Sequence, residues 1–277
     1  MRRITSVCCL GLFVASVALA QSGDEVPFIT TPDHVTLAML KLADVQARDF
    51  VLDLGSGDGR IVITAARRFG ARGQGVEIVP ELVERSRINA GKAGVGSRTG
   101  FAVQDLFETD LTRASVITMY LLPEVNMQLR PKLLTLKPGT RIVSHDWDMG
   151  DWPSDRSLTL EVPKKVVGRE KLSRVHLWVV PADAHGLWCA PGAALRLKQQ
   201  YQFVQGRLEV GGSAWSVTGR LDGTQLRLDG GRAPGVNGQV AADHLRLHGH
   251  GIARRWQRST GTQCPASSQA LSTTDKP

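Results

Sequence analysis

The residues of this chain best suited to chemistry begin with Asp53-Leu54-Gly55-Ser56-Gly57-Asp58-Gly59 and continue with isolated acids at Glu77 and Asp105. Glycines directly after a buried strand let the chain turn sharply and let backbone N–H groups approach a polar ligand at a helix N-terminus. A dinucleotide fingerprint needs its third glycine three residues after its second, but Gly55, Gly57 and Gly59 are each two apart. Asp53, on the last turn of the strand, suits a ligand with a free ammonium group, whereas a pyrophosphate would be repelled by Asp53 and Asp58. Glu77 stands twenty residues after Gly57, at the expected end of the next strand, where a carboxylate can accept both hydroxyl hydrogens of a ribose. Its plain alternative is an acid at a helix start. Asp105 is placed to accept from an adenine amino group, with Leu106 and Phe107 beside the ring, or else to cap a helix.

These groups act together only if the chain brings them to one edge. Between residues 50 and 145 short apolar runs alternate with amphipathic stretches, which predicts βαβ units and a parallel sheet. Strands are expected at 50–54, 74–78, 101–104, 115–120 and 140–144. Ile61, Ala65 and Phe69 recur at helical spacing, with Gly70 as a left-handed cap. Pro80 suits a first helical turn, and that helix should run to about Ala90, before the glycines at 91, 94 and 96. Upstream, Thr31-Pro32-Asp33 opens a helix carrying Val35, Leu37, Met39, Leu40 and Leu42, expected to lie over the pocket as a lid. Runs at 157–162 and 174–180 should complete the sheet, and Pro181-Ala182-Asp183 marks a boundary.

Beyond that boundary the pattern changes. Leu195-Arg196-Leu197, Leu226-Arg227-Leu228 and Leu245-Arg246-Leu247 alternate in, out, in between glycine-rich turns. About seven short strands are expected over residues 183–265, forming a small all-β barrel or sandwich. The Ser/Thr-rich residues 266–277 are expected to be a disordered tail. His244, His248 and His250 alternate without cysteine or carboxylate neighbours at ligand spacing, so no metal site is assigned. Neither a Gly-x-Ser-x-Gly nor a Walker motif occurs.

The formal charge is +8, yet lysines and arginines are scattered among acids and never form a run of five. Nucleic acid is therefore not the expected partner. Met1-Arg2-Arg3, an apolar stretch and Ala18-Leu19-Ala20 have the three regions of a secretory signal peptide, with cleavage expected after Ala20. No second stretch of that length follows, so no integral membrane domain is expected after removal, and the location should be extracytoplasmic. Removal leaves Cys189 and Cys264 as a lone pair, which in an oxidising compartment reads as a disulfide tying the ends of the β segment.

With these residues assembled, residues 26–182 resemble class I S-adenosylmethionine (SAM)-dependent methyltransferases. A narrower likeness rests on Pro27-Phe28, Thr30-Thr31-Pro32 and the run from Asp53 to Val62. It is to the protein-lysine methyltransferases that include modifiers of the ATP synthase c-ring. The resemblance implies a Rossmann-like sheet with helices on both faces over residues 21–182. It implies that Asp53, Gly55 and Gly57 hold the methionine part of SAM, with Glu77 at the ribose and Asp105 at the adenine. Thr31 and Ser56 are counted with them. In this fold the groups after the fourth and fifth strands face the methyl position, so Tyr120, Glu124, Asn126, His145 and Asp146 are candidates on the acceptor side. Tyr120 and His145 are the catalytic assignments, and Trp147 and Trp152 are candidate pocket walls. The Asn/Asp-Pro-Pro-aromatic motif of amide and base methyltransferases is missing. Tyr120-Leu121-Leu122-Pro123 and the segment from Ser144 to Trp152 depart from the lysine enzymes, so the acceptor is left unidentified, with a protein lysine as the candidate that the resemblance implies. An exported, non-catalytic binding protein that keeps the fold is the competing reading, and oligomeric state stays open.

Overall fold

In the computed structural model, which describes residues 29–166, 170–230, 233–249 and 254–265, the apolar run Phe50–Leu54 is β1 and lies at the centre of a sheet. The leader at 1–20, Pro27-Phe28 and the tail at 266–277 lie outside the described residues. β2 (Arg72–Glu77) and β3 (Thr99–Val103) stack on one side of β1. β4 (Val116–Met119) and β5 (Arg141–His145) stack on the other, all parallel. β6 (Arg156–Glu161) and β7 (Leu172–Val179) form an antiparallel hairpin, and β7 pairs with β5. The order is β3-β2-β1-β4-β5-β7-β6, so the direction of winding reverses between β1 and β4. Open α/β sheets bind ligands at the carboxyl ends of the strands at such a reversal.

β2 and β3 each begin two residues before the expected positions. The first four of the six residues of β2 read Arg72-Gly73-Gln74-Gly75, and its glycines hide the apolar signal of a strand. They are there because the neighbours are close: a Cβ on Gly73 would meet the carbonyl oxygen of Val51 at 2.6 Å.

Among the described residues, four helices flank the sheet. α1 (Asp33–Leu42) does not form the expected lid. Val35, Met39 and Leu40 are fully buried in one cluster with Val51, Ile61, Val143, Val175 and Leu177, so α1 is a core layer and only the residues leading into it border a cavity. α2 (Arg60–Phe69) buries Ile61, Val62, Ala65 and Ala66, and left-handed Gly70 ends it as expected. α3 spans Pro80–Lys92, with Pro80 in its first turn. α4 (Pro123–Leu134) was not legible in the sequence. Pro131 lies inside it, where a missing N–H and a ring clash normally break a helix. Burial of Asn126, Leu129 and Leu133 along one side offsets that cost.

The C-terminal half is a closed barrel of eight strands rather than about seven. They are β8 (Gly186–Ala190), β9 (Ala193–Gln200), β10 (Phe203–Val210) and β11 (Ser213–Asp222), then β12 (Gln225–Gly230), β13 (Ala233–Val240), β14 (His244–His248) and β15 (Arg254–Ser259). Antiparallel pairing of β15 with β8 closes it, and Trp188, Trp256 and the inward leucines fill its core. Full closure leaves no free edge to aggregate.

The barrel docks on the segment between β5 and β6. Trp152 is fully buried, donates its indole N–H to Gln202 at 3.1 Å and stacks on Tyr201. Gln202, itself buried, returns a hydrogen bond to the Pro153 carbonyl at 2.7 Å. Trp152 is thus a docking residue and not a pocket wall. No described helix is long and apolar enough to cross a membrane.

Cys189 and Cys264 are joined, closing a loop of sequence separation 75. By the chain-entropy model such a loop contributes roughly 4 kcal/mol. A Cys189→Ala/Cys264→Ala protein should therefore lose barrel structure at markedly lower denaturant than the wild type. Far-ultraviolet dichroism showing coincident unfolding curves would contradict this.

Candidate functional site

Asp53 is the next-to-last residue of β1, at the reversal point, and its register partner on β4 is Thr118. The Asp53 carboxylate is 2% exposed and accepts the Thr118 hydroxyl at 2.7 Å. Burial pushes its pKa up to about 8, and the negative charges of Glu77 and Asp58 push the same way. The loop that follows turns through three left-handed glycines, Gly55, Gly57 and Gly59, with φ of 71°, 53° and 79°. Side chains would not fit two of these: a Cβ on Gly55 would meet Leu121 at 3.0 Å, and one on Gly59 would meet the Phe101 ring at 2.7 Å.

Several loop groups are already committed. The N–H groups of Gly55 and Ser56 both donate to the Val76 carbonyl. Gly57 donates to one oxygen of Glu77 at 2.9 Å, and the other oxygen accepts from the N–H groups of Ile78 and Val79. Glu77 therefore braces the glycine loop and also stands, partly exposed, at the end of β2. Ser56 is buried where Gly75 leaves room on β2, and its hydroxyl has no hydrogen-bond partner. Asp105 is exposed beyond β3, with one oxygen accepting the Phe107 N–H at 2.7 Å. Asp53, Glu77 and Asp105 thus lie at the carboxyl ends of three adjacent strands.

Arg60 belongs to this site although spacing did not single it out. Its guanidinium grips Asp58 with two hydrogen bonds, at 2.9 and 2.7 Å, and a third reaches the Thr31 carbonyl at 2.9 Å. It ties the glycine loop to the segment before α1. An arginine directly after the last glycine was the available signal.

Beyond the ends of β4 and β5 lies a cavity of about 320 Å³ bordered by Thr30, Tyr120, His145, Lys165 and Ser173. His145 is 1% exposed, and both ring nitrogens are engaged: Nδ1 with the Thr31 hydroxyl at 3.1 Å and Nε2 with the Ser173 hydroxyl at 2.9 Å. Burial lowers its pKa to about 4, with Asp146 opposing and Lys165 assisting, so the ring is neutral at neutral pH. The Tyr120 ring lies 4.0 Å from it, and the Tyr120 hydroxyl donates to Asp146 at 3.3 Å. Burial, aided by Asp146, pushes the phenol up to about 12. Tyr120 and His145 are thus together in the cavity but hold their protonation states firmly. Thr31 faces His145. Asn126 is fully buried and donates to Ser144 and to the Trp147 and Asp148 carbonyls, which makes it a brace of the chain after β5. Glu124 and Trp147 are exposed. Among the described residues, no group of three or more His, Cys, Asp or Glu side chains could hold a metal ion.

Residues 53–156 match the family described as the ANTKMT methyltransferase domain. A protein-lysine N-methyltransferase of Saccharolobus islandicus is 44% identical over 139 residues, covering 50% of this chain and 86% of that protein. An ATP synthase c-subunit lysine N-methyltransferase of Xenopus laevis is 36% identical over 131 residues, covering 47% of this chain and 56% of that protein. The chain thus spans little more than half the length of that animal relative. Among solved structures, an RNA methyltransferase from Salinibacter ruber in complex with S-adenosyl-L-homocysteine is 49% identical, with a TM-score of 0.51, and covers 56% of this chain and 95% of that one.

Asp53 also has a measurable consequence for stability. Its folded pKa of about 8 exceeds the ordinary aspartate value of 3.8, so between these values the folded state keeps a proton that the unfolded state has released. Stability from this group is therefore present below pH 4 and lost as pH rises towards 8. Asp53→Asn should stabilise the ligand-free protein relative to the wild type increasingly from pH 5 to pH 8, reaching about 1–3 kcal/mol. A difference in denaturation midpoints that is flat with pH would mean that Asp53 is ionised throughout.

Proposed function

This chain belongs to the S-adenosylmethionine-dependent methyltransferase family that includes the Saccharolobus islandicus protein-lysine enzyme, and on that premise we propose that it methylates the side-chain amine of a protein lysine. The observation that carries the lysine reading is the 44% identity to that enzyme over 86% of its length. The absence of an Asn/Asp-Pro-Pro-aromatic motif, which amide and base methyltransferases use, agrees with it.

The residues at the strand ends fit the cofactor. Left-handed backbone at Gly55, Gly57 and Gly59 turns the chain sharply after β1, and the buried Asp53 carboxyl, beside two further acids, favours a cationic ligand group. We assign Asp53 to the ammonium of SAM, the loop backbone at Gly55 and Gly57 to its methionine end, Glu77 to the ribose hydroxyls and Asp105 to the adenine amino group. Ser56 shapes the loop instead of touching the cofactor, since its N–H donates to Val76, its carbonyl accepts the Gly59 N–H and its hydroxyl is turned into the sheet. Arg60 holds the loop in place.

When bound, SAM supplies a methyl carbon already activated by its sulfonium. The chain's task is then to orient the acceptor and exclude water. Tyr120, pushed up to about 12, remains a phenol and a hydrogen-bond donor. His145 is a weak base with both nitrogens engaged, and it holds Thr31 and Ser173 in the cavity wall. An extracytoplasmic location is also part of this reading, supported by the leader pattern and by the joined cysteines.

Calorimetric titration with SAM should show saturable binding, weakened in Glu77→Ala by about 1–3 kcal/mol through loss of charged hydrogen bonds. Unchanged affinity would remove Glu77 from the pocket. Incubation with methyl-labelled SAM and separate pools of protein and RNA tests the acceptor. Label on lysine residues, located by mass spectrometry, is expected. Label confined to RNA would replace this reading with the activity named for the Salinibacter protein.

A further inference from the structure

One carboxylate behind the cavity wall, that of Asp146, already holds an amine that lines the cavity. The described residues that follow β6 border the cavity and place the Lys165 ammonium 2.8 Å from Asp146 Oδ2, with both side chains nearly enclosed at 13% and 12% exposure. The same oxygen accepts the Tyr120 hydroxyl at 3.3 Å, and His145 Nε2 lies 3.6 Å away. Asp146 Oδ1 accepts the Arg174 N–H at 3.0 Å. The Asp146 backbone is left-handed, with φ of 66°, an uncommon conformation for a residue other than glycine. Its own N–H donates to the Arg174 carbonyl at 2.6 Å, so the edge of β7 holds this conformation in place.

A carboxylate taken this far out of water needs a cation beside it. Here the cation is a lysine side chain delivered by a hairpin loop into a cavity of about 320 Å³. The cavity lies beyond the strands that follow Asp53 in the sheet order, β4 and β5. The site is thus shaped for a four-carbon stem ending in an ammonium group, because the chain itself places one there.

We propose that Asp146, with Tyr120 beside it, is the subsite that binds the cationic amine of the acceptor lysine, and that Lys165 fills this place until the acceptor displaces it. The proposal rests on the lysine reading of the preceding subsection. It makes Lys165 an internal competitor: an acceptor engages only the fraction of molecules in which the hairpin has released Asp146, and its apparent affinity falls by that fraction.

The test uses the full chain and n-butylammonium, which has the stem and charge of a lysine side chain. In Lys165→Ala the site is open, and n-butylammonium should raise the thermal unfolding midpoint by several degrees in a saturable way. The wild type should respond only at higher n-butylammonium concentration, Lys165→Met and Lys165→Ala/Asp146→Asn should not respond, and n-butanol, the uncharged analogue, should have no effect on Lys165→Ala. Equal responses in the wild type and Lys165→Ala, equal responses to the amine and the alcohol, or no response at all would each overturn the proposal. The labelling experiment on wild-type protein tests the lysine reading separately. Lysine methylation without n-butylammonium binding would sink only the Asp146 subsite, and binding without lysine methylation would leave an amine site and remove lysine as the acceptor.

Discussion

A carboxylate must be kept in the interior at Asp53, and the cofactor half of the site is arranged around that requirement. Burying a charge is costly unless it is paired, and Thr118 offers one hydrogen bond at 2.7 Å. The remaining cost appears as the raised pKa, and Glu77 and Asp58 increase it. Thr118 can reach Asp53 only because β4 lies beside β1, so the strand order and the carboxylate's one neutral partner are the same fact. The glycine loop turns away through left-handed backbone, which leaves the strand end open. Asp58 is matched by Arg60 and Glu77 by three backbone N–H groups, while burial keeps the proton on Asp53, so a cationic ligand at this edge favours ionisation of Asp53 as it binds.

The neighbouring cavity follows a different electrostatic rule. His145 is held neutral and hydrogen-bonded at both nitrogens, since a charged imidazole at 1% exposure would be expensive. Through it the segment before α1 is joined to β5 and β7. Against this neutral wall Asp146 forms a close ion pair with Lys165. The cofactor edge holds an aspartate that burial keeps protonated, whereas beside the cavity a carboxylate is already matched by Lys165.

The barrel enters this arrangement through the segment between β5 and β6. Asp146 at the start of that segment lies against Tyr120 and Lys165 in the cavity wall. Further along it, Asp151 accepts the Tyr201 hydroxyl, Trp152 and Gln202 exchange contacts, and Asp155 pairs with Arg220 at 2.6 Å. One stretch of chain therefore has its first residue against the cavity wall and its later residues clamped by the barrel. The barrel's own core is separate and is closed by strand pairing and by the Cys189–Cys264 bridge.

What the amino-acid sequence determined by itself was local. Glycine spacing after an apolar run marked the loop, helical spacing of Ile61, Ala65 and Phe69 marked α2, and acids at strand ends marked Glu77 and Asp105. Leu-Arg-Leu alternation marked the barrel strands. Backbone conformation and hydrophobic periodicity act over a few residues, so their signals survive in one dimension. Where β2 carries glycines for close approach and α4 carries an internal proline, those local signals misled. The tertiary structure alone decided that α1 is core, that Ser56 turns its hydroxyl into the sheet and that Trp152 docks the barrel. It also decided that Thr31 meets His145 across a separation of 114 residues and that His145 meets Ser173 across 28. Side-chain partners at such distances are chosen by which surfaces pack together, and packing exists only once the strands have been ordered.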